Sequence, residues 1–162
     1  MILIGLGSSL PFCGAEPQEI VPLAIRSIRA IGTVARVSRL YRSPAWPDGA
    51  DPPFVNAAIA LDTPLDPDSL LRALHAIEAS FGRARGRRNA PRTLDLDLLA
   101  YRRLVRRGPD GLQLPHPGIA ERAFVLAPLC DIAPAWTCPA TGRSARAMLA
   151  ALPSGAVRPI DS

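Results

Sequence analysis

The chain has 162 residues and a mass of 17.2 kDa, with 48% apolar and 20% charged residues, which suits one globular domain and excludes a disordered tail. Its formal charge is +5, yet all the basic residues are arginine. Without lysine, a Walker-type phosphate loop, a Schiff-base enzyme and a lysine general base are excluded. No apolar run approaches the ~20 residues that cross a membrane, and no basic region precedes the opening run Met1-Ile2-Leu3-Ile4. Three cysteines, Cys13, Cys130 and Cys138, make an odd number with no paired spacing. These features predict a cytoplasmic protein with no secretory leader and no disulfide framework.

Taken in chain order, residues 1–7 are a short apolar run ending in glycine and read as a buried strand. Residues 10–16 read as a loop. From Pro17 to Ile31 the apolar residues Ile20, Leu23, Ala24, Ile28 and Ile31 keep helical spacing, and Gly32 stops them. The helix starts near Pro17, or at Pro22 with proline at its first position. Val34, Val37 and Tyr41 predict one strand ending at Ser43-Pro44, and 44–53, with four prolines, is turn chemistry. Phe54 to Leu61 resumes as a strand. Asp66 or Asp68 caps a second helix carrying Leu70, Leu71, Leu74, Ile77 and Phe81, which Gly82 ends. After the arginine-rich stretch 83–92 comes a strand from Thr93 to Tyr101, then helical pieces around 119–131 and 143–151. The order β-α-β-β-α-β predicts one α+β domain over 1–162. Its plan would be ferredoxin-like, an antiparallel sheet with helices on one face and a C-terminal helical extension. Such a fold hosts enzymes and RNA binders alike, so function must come from particular residues.

The strongest local signal is Arg92-Thr93-Leu94-Asp95-Leu96-Asp97-Leu98. Side chains alternate along a strand, so Asp95 and Asp97 share one face and the leucines share the other. Two carboxylates ~7 Å apart on an apolar strand repel each other and lose hydration. A shared Mg²⁺ relieves both costs; solvated or salt-bridged acids are the other reading of the same spacing. Arg83, Arg85, Arg87, Arg88 and Arg92 run straight into this pair with no acid among them. Guanidinium forks beside a cation are what a polyphosphate requires. RNA is the alternative ligand for such a loop, but base stacking needs aromatic residues, which make up only 5% here. His116 is held between Pro115 and Pro117, whereas His75 lies within the second helix as a surface or packing residue.

Several ordered blocks now carry a family resemblance. Gly5-Leu6-Gly7-Ser8, Phe54-Val55-Asn56-Ala57-Ala58, Glu78 with Phe81-Gly82-Arg83-Ala84-Arg85, Pro91 to Asp97, Leu114-Pro115-His116-Pro117 and Glu121 to Leu129 together resemble the 6-hydroxymethyl-7,8-dihydropterin pyrophosphokinases of folate biosynthesis. The likeness spans nearly the whole chain. It implies transfer of pyrophosphate from ATP to the pterin's hydroxymethyl oxygen, with release of AMP. It implies that Asp95 and Asp97 hold two Mg²⁺ ions and that Arg83 and Arg92 act with them as catalytic groups. Glu78, Arg85, Arg92, Leu98, His116 and Arg122 fall at ATP-binding positions. Gly7, Ser43, Pro44, Trp46, Phe54, Asn56, Asp95 and Phe124 fall at pterin-binding ones, with Phe54 and Phe124 stacking on the ring and Asn56 reading its edge. It further implies a monomer that binds neither nucleic acid nor membrane. Ser9 stands where the family usually has asparagine, and Asn89 where a tryptophan is common. Residues 8–16, 44–53 and 83–91 are the expected lid loops. A ferredoxin-like RNA-binding module and an inactive pterin- or nucleotide-binding homologue are the competing readings.

Overall fold

The first strand, β1 (Ile2–Ser8), is buried along almost all its length because both its faces are covered. Ile2, Ile4 and Leu6 enter one core and Leu3 the other. In this computed structural model, which describes residues 1–45, 50–83, 90–108 and 111–160, β1 lies between β4 (Phe54–Asp62) and β5 (Asp95–Tyr101), antiparallel to both. Strands β2 (Thr33–Val37) and β3 (Tyr41–Ser43) both pair with β4, and the short β6 (Arg158–Pro159) adds to β3. The single strand expected over 34–43 is therefore two. Between them Ser38 replaces regular pairing with a side-chain staple. Its N–H donates to the Ala58 carbonyl, and its hydroxyl accepts the Ala58 N–H, each at 2.9 Å.

Helix α1 (Pro17–Ile28) starts at Pro17 rather than Pro22, because Glu16 and Glu19 form a reciprocal capping box there. Pro22 is left inside the helix, where its missing N–H forgoes a single backbone bond. Helix α2 (Pro67–Ser80) is capped by Asp66, whose carboxylate accepts the N–H groups of Asp68 and Ser69. It stops at Phe81, ahead of Gly82 at φ +68°. Both helices cover the sheet face formed by Ile2, Ile4, Leu6, Leu94, Leu96 and Leu98.

The opposite face is covered too, so helices on one face describes α1 and α2 alone. A 3₁₀ turn (Ile119–Glu121), α3 (Ala123–Ile132) and α4 (Ala145–Ala150) lie over Leu3, Ala58, Ala60 and Leu99. The sequence of α3, AFVLAPLCDI, is apolar nearly all round and must be buried. The small side chains of Ala58 and Ala60 let it come close. At its C-terminal end α3 is tied to the sheet by Asp131, which accepts from the Arg39 backbone N–H, the Arg39 guanidinium and the Tyr41 hydroxyl. Arg36 adds a bond to the Ile132 carbonyl at 2.7 Å. Among the described residues no helix is long and apolar enough to cross a membrane.

Candidate functional site

Register places the acidic pair. On β5, Asp97 lies opposite Gly5 and Asp95 opposite Gly7 of β1. Across β1, Gly7 faces Asn56 of β4 and Gly5 faces Ala58. One strand further, Tyr41 and Ser43 of β3 lie opposite Asn56 and Phe54. Residues directly opposite in a ladder share a face. A row running Asp95, Gly7, Asn56 therefore crosses the sheet on the α3 side. Gly7 keeps its floor low: a Cβ there would stand 3.5 Å from the Asn56 side-chain oxygen and 3.6 Å from the Phe54 ring. Above the row, the first turn of α3 brings Phe124 and Val125, with Arg122 just before it. The result is an open cleft of about 650 Å³ that also takes in Ser43, Pro44, Arg92 and Asp97.

The cleft has two chemical ends. Phe54, Phe124, Asn56 and Ser43 make a ring-sized apolar end with an amide. The Asn56 Nδ2 donates to the Ser43 hydroxyl at 3.0 Å, which fixes the amide's orientation. At the charged end Asp95 is held from two sides, by Arg83 at 2.8 Å and Arg92 at 3.1 Å. Burial, reinforced by the charge of Asp95, pushes the Asp97 carboxyl above the usual carboxylate range, against the opposing charges of His116, Arg122 and Arg83. The Arg122 guanidinium lies 5.9 Å from the Phe124 ring centroid, joining the two ends. His116 is fixed by its backbone N–H, which donates to the Leu99 carbonyl at 2.8 Å, and by its Nδ1, which accepts the Gly118 N–H.

Of the predicted residues that the structure describes, Arg83, His116, Glu78 and Leu98 do not line this cleft; Arg83 reaches it through Asp95, and the charge of His116 acts on Asp97 from outside it. Glu78 is buried on α2 at the outer edge of the sheet, where its carboxylate accepts the Leu96 N–H at 2.7 Å and pairs with Arg83. Burial is the main cause that pushes its carboxyl up to about 7; the Leu96 N–H and Arg83 pull it down, and the charges of Asp95 and Asp97 raise it further. Leu98 points its side chain into the core beneath α1 and α2, on the face opposite Asp97. The expectations for Trp46 and Arg85, and for Arg87 and Arg88, lie outside the described residues. His75 is exposed, as expected of a surface position. The sequence marks Ser8 in a family block and Ser9 as a departure from it, but not what the structure shows, that both are buried and bond the main chain of Arg92 and Thr93. Their signal was a pair of hydroxyls directly after the glycine of an apolar strand.

Two carboxylates and several guanidinium groups beside an aromatic-lined end are chemistry suited to a phosphate-bearing ligand next to a flat ring. Comparison with known proteins agrees. Residues 3–134 match the family described as 7,8-dihydro-6-hydroxymethylpterin-pyrophosphokinase, HPPK. The chain is 40% identical over 158 residues to the 2-amino-4-hydroxy-6-hydroxymethyldihydropteridine pyrophosphokinase of Methylorubrum extorquens, covering 96% of each chain. It is 42% identical over 154 residues to the Pseudomonas aeruginosa protein of the same name, covering 94% of this chain and 91% of that one. The crystal structure of wild-type Plasmodium falciparum HPPK-DHPS shares the fold at a TM-score of 0.69 and 14% identity over 92% of this chain, which spans 44% of that longer one. The chain belongs to the HPPK family.

Proposed function

We propose that this chain transfers the pyrophosphoryl group of ATP to the hydroxymethyl oxygen of 6-hydroxymethyl-7,8-dihydropterin, releasing AMP and forming the pterin diphosphate for folate synthesis, and that the cleft is where it does so. Family membership supports the reaction. The observation that supports the site is the meeting of Asp95, Asp97 and Arg92 with Phe54, Asn56 and Phe124 in one cleft. The pterin ring lies between Phe54 and Phe124, with Asn56 and the main chain around Gly7, Ser43 and Pro44 reading its edge. Stacking supplies affinity, and hydrogen bonds to the ring edge supply specificity. The triphosphate lies toward Asp97, Arg92, His116 and Arg122. The pterin hydroxyl oxygen attacks the β-phosphorus and gives up its proton to water, the bond from that phosphorus to the α-phosphate oxygen breaks, and AMP leaves with that oxygen. The protein's task is alignment and charge neutralisation, so no covalent nucleophile is needed.

The acidic pair fits Mg²⁺. It offers hard oxygen donors, and among the described residues no third metal-binding side chain joins them. Asp95 and Asp97 would hold the Mg²⁺ ions, whose remaining ligands would come from water and substrate, as is common in phosphate-transfer sites. When bound, Mg²⁺ neutralises the triphosphate and polarises its oxygens. Arg83 and Arg92, both on Asp95 in this structure, are the groups that turn to phosphate. Glu78 serves by holding Arg83, and Leu98 offers only its main chain. The β1-α1-β2/β3-β4-α2-β5 core we read as the ferredoxin-like plan, followed by a helical extension; this order is supported by the strand sequence β5-β1-β4-β3. We read the chain as a single domain acting as a cytoplasmic monomer on small molecules.

The test is AMP release with ATP, the dihydropterin and Mg²⁺. Wild type should form AMP only with all three, and EDTA should stop it. Asp95→Ala and Asp97→Ala should each lose at least 100-fold in turnover with an unchanged circular-dichroism spectrum. Either variant working at the wild-type rate would remove the cleft from the reaction.

A further inference from the structure

Arg92 sits in irregular chain just before β5, where no ladder fixes its backbone. A side chain with four rotatable bonds on an unfixed backbone is a poor instrument for group transfer, where a misplacement of about 1 Å can cost on the order of 100-fold. Something else must hold it, and the end of β1 does so on both sides of the peptide. Ser9 Oγ accepts the Arg92 N–H at 3.0 Å. The Arg92 carbonyl accepts the N–H groups of Ser9 and Leu10 at 2.9 and 3.1 Å. One residue on, Ser8 Oγ donates to the Thr93 carbonyl at 2.6 Å. Ser8 is fully buried and Ser9 only 5% exposed, so water does not compete for these bonds.

The rest of Arg92 is set from this fixed point. Its Nε donates to the Ala90 carbonyl at 3.0 Å, and its Nη1 reaches Asp95 at 3.1 Å. We propose that Ser9 is a positioning residue for the transfer step, its hydroxyl aiming Arg92 into the cleft by clamping the arginine's own N–H. This rests on the reading of Arg92 as a catalytic group. Ser9 itself touches no reacting atom, so its loss acts through the aim of Arg92 and falls chiefly on the rate of transfer.

The experiment is a double-mutant cycle in the AMP-release assay, with thermal melts of every variant. Ser9→Ala removes the acceptor. Ser9→Cys replaces it with a poor one of nearly the same size, so a packing fault in the alanine variant is told apart from a lost hydrogen bond. Each should lower kcat about 10-fold and move KM for ATP and the pterin less than 2-fold, while Ser9→Thr, which keeps the hydroxyl, recovers most of the loss. Arg92→Ala should lower kcat about 100-fold, and Ser9→Ala added to it should cost nothing more. A wild-type kcat in both the alanine and cysteine variants would overturn the proposal. So would a 10-fold loss that persists in the Arg92→Ala background, or a loss that only tracks the fraction of folded protein. Wild-type kcat in Arg92→Ala alone would instead overturn the role of Arg92, and the clamp's purpose with it.

Discussion

Arg83 connects two carboxylates in different surroundings, Glu78 beneath the sheet edge and Asp95 at the mouth of the cleft. Glu78 is the more costly of the two to ionise, its carboxyl being pushed up to about 7 from an ordinary 4.5. A raised folded-state value means that the native chain binds this proton more tightly than the unfolded chain does. The resulting stability is fully present below about 4.5 and is lost as pH rises through about 7. Glu78→Gln keeps an acceptor for the Leu96 N–H and abolishes the titration. Thermal melts between pH 5 and 8 should show wild type losing on the order of 2 kcal/mol relative to the variant as pH rises. A gap that stays constant with pH would contradict this placement of the carboxyl. At this scale the shared face of Asp95 and Asp97 was legible, since strand alternation alone sets it. The position of Glu78 was not. Its helical neighbours Leu70 and Leu74 marked a buried face, but spacing cannot say that a carboxylate on it meets the free N–H of an edge strand.

Among the elements, α3 bears most directly on the proposed site, because its first turn carries Phe124 over the cleft while its last turn is tied to β3. Asp131 is the tie. Burial raises its carboxyl, yet the hydrogen bonds from Arg39 and Tyr41 and the guanidinium charge outweigh burial and hold it below the usual range. The stability it supplies is therefore present above the unfolded value and is lost as pH falls through the lower folded one. Asp131→Ala leaves Tyr41 and Arg39 without this acceptor and should cost about 1–3 kcal/mol, a fall in Tm of several degrees. The pterin KM should rise several-fold as Phe124 loosens. Unchanged Tm and KM together would show that α3 is held by its apolar face alone. The start of α1 is where element-level reading was undecided: two prolines each offered a first position, and the Glu16–Glu19 capping box settles on Pro17. The break between β2 and β3 was hidden because Ser38 bends the chain through a side-chain bond to β4, which no local pattern records. Strand β6 is two residues long, one of them proline, and carries no periodicity to read.

For the molecule as a whole, the proposed site takes up one end of one sheet face, and the rest of both faces is packed beneath helices. The face beneath α1 and α2 is filled by large aliphatics from β1 and β5 and is ordinary core. The other face changes along its length, from Leu3, Ala58 and Leu99 under α3 to Gly7, Asn56 and Asp95 lining the cleft. This change could be read from β1 itself, where bulky residues give way to Gly5 and Gly7. That α3 and α4 would roof this second face was not legible, although the apolar girth of α3 was its signal. Of the arginines, Arg83 and Arg92 pair with Asp95 there, and Arg122 lies over the Phe124 ring. If the cleft is the site of transfer, two phosphorus atoms move together in it from ATP to the pterin. The most direct measurement is a single turnover with ATP labelled at the β-phosphate, comparing wild type with Asp97→Ala. Wild type should carry the label into the pterin diphosphate with unlabelled AMP as the other product, and the variant should leave it in ATP. Label recovered in ADP or inorganic phosphate, or an Asp97→Ala variant that transfers it as fast as wild type, would contradict the account.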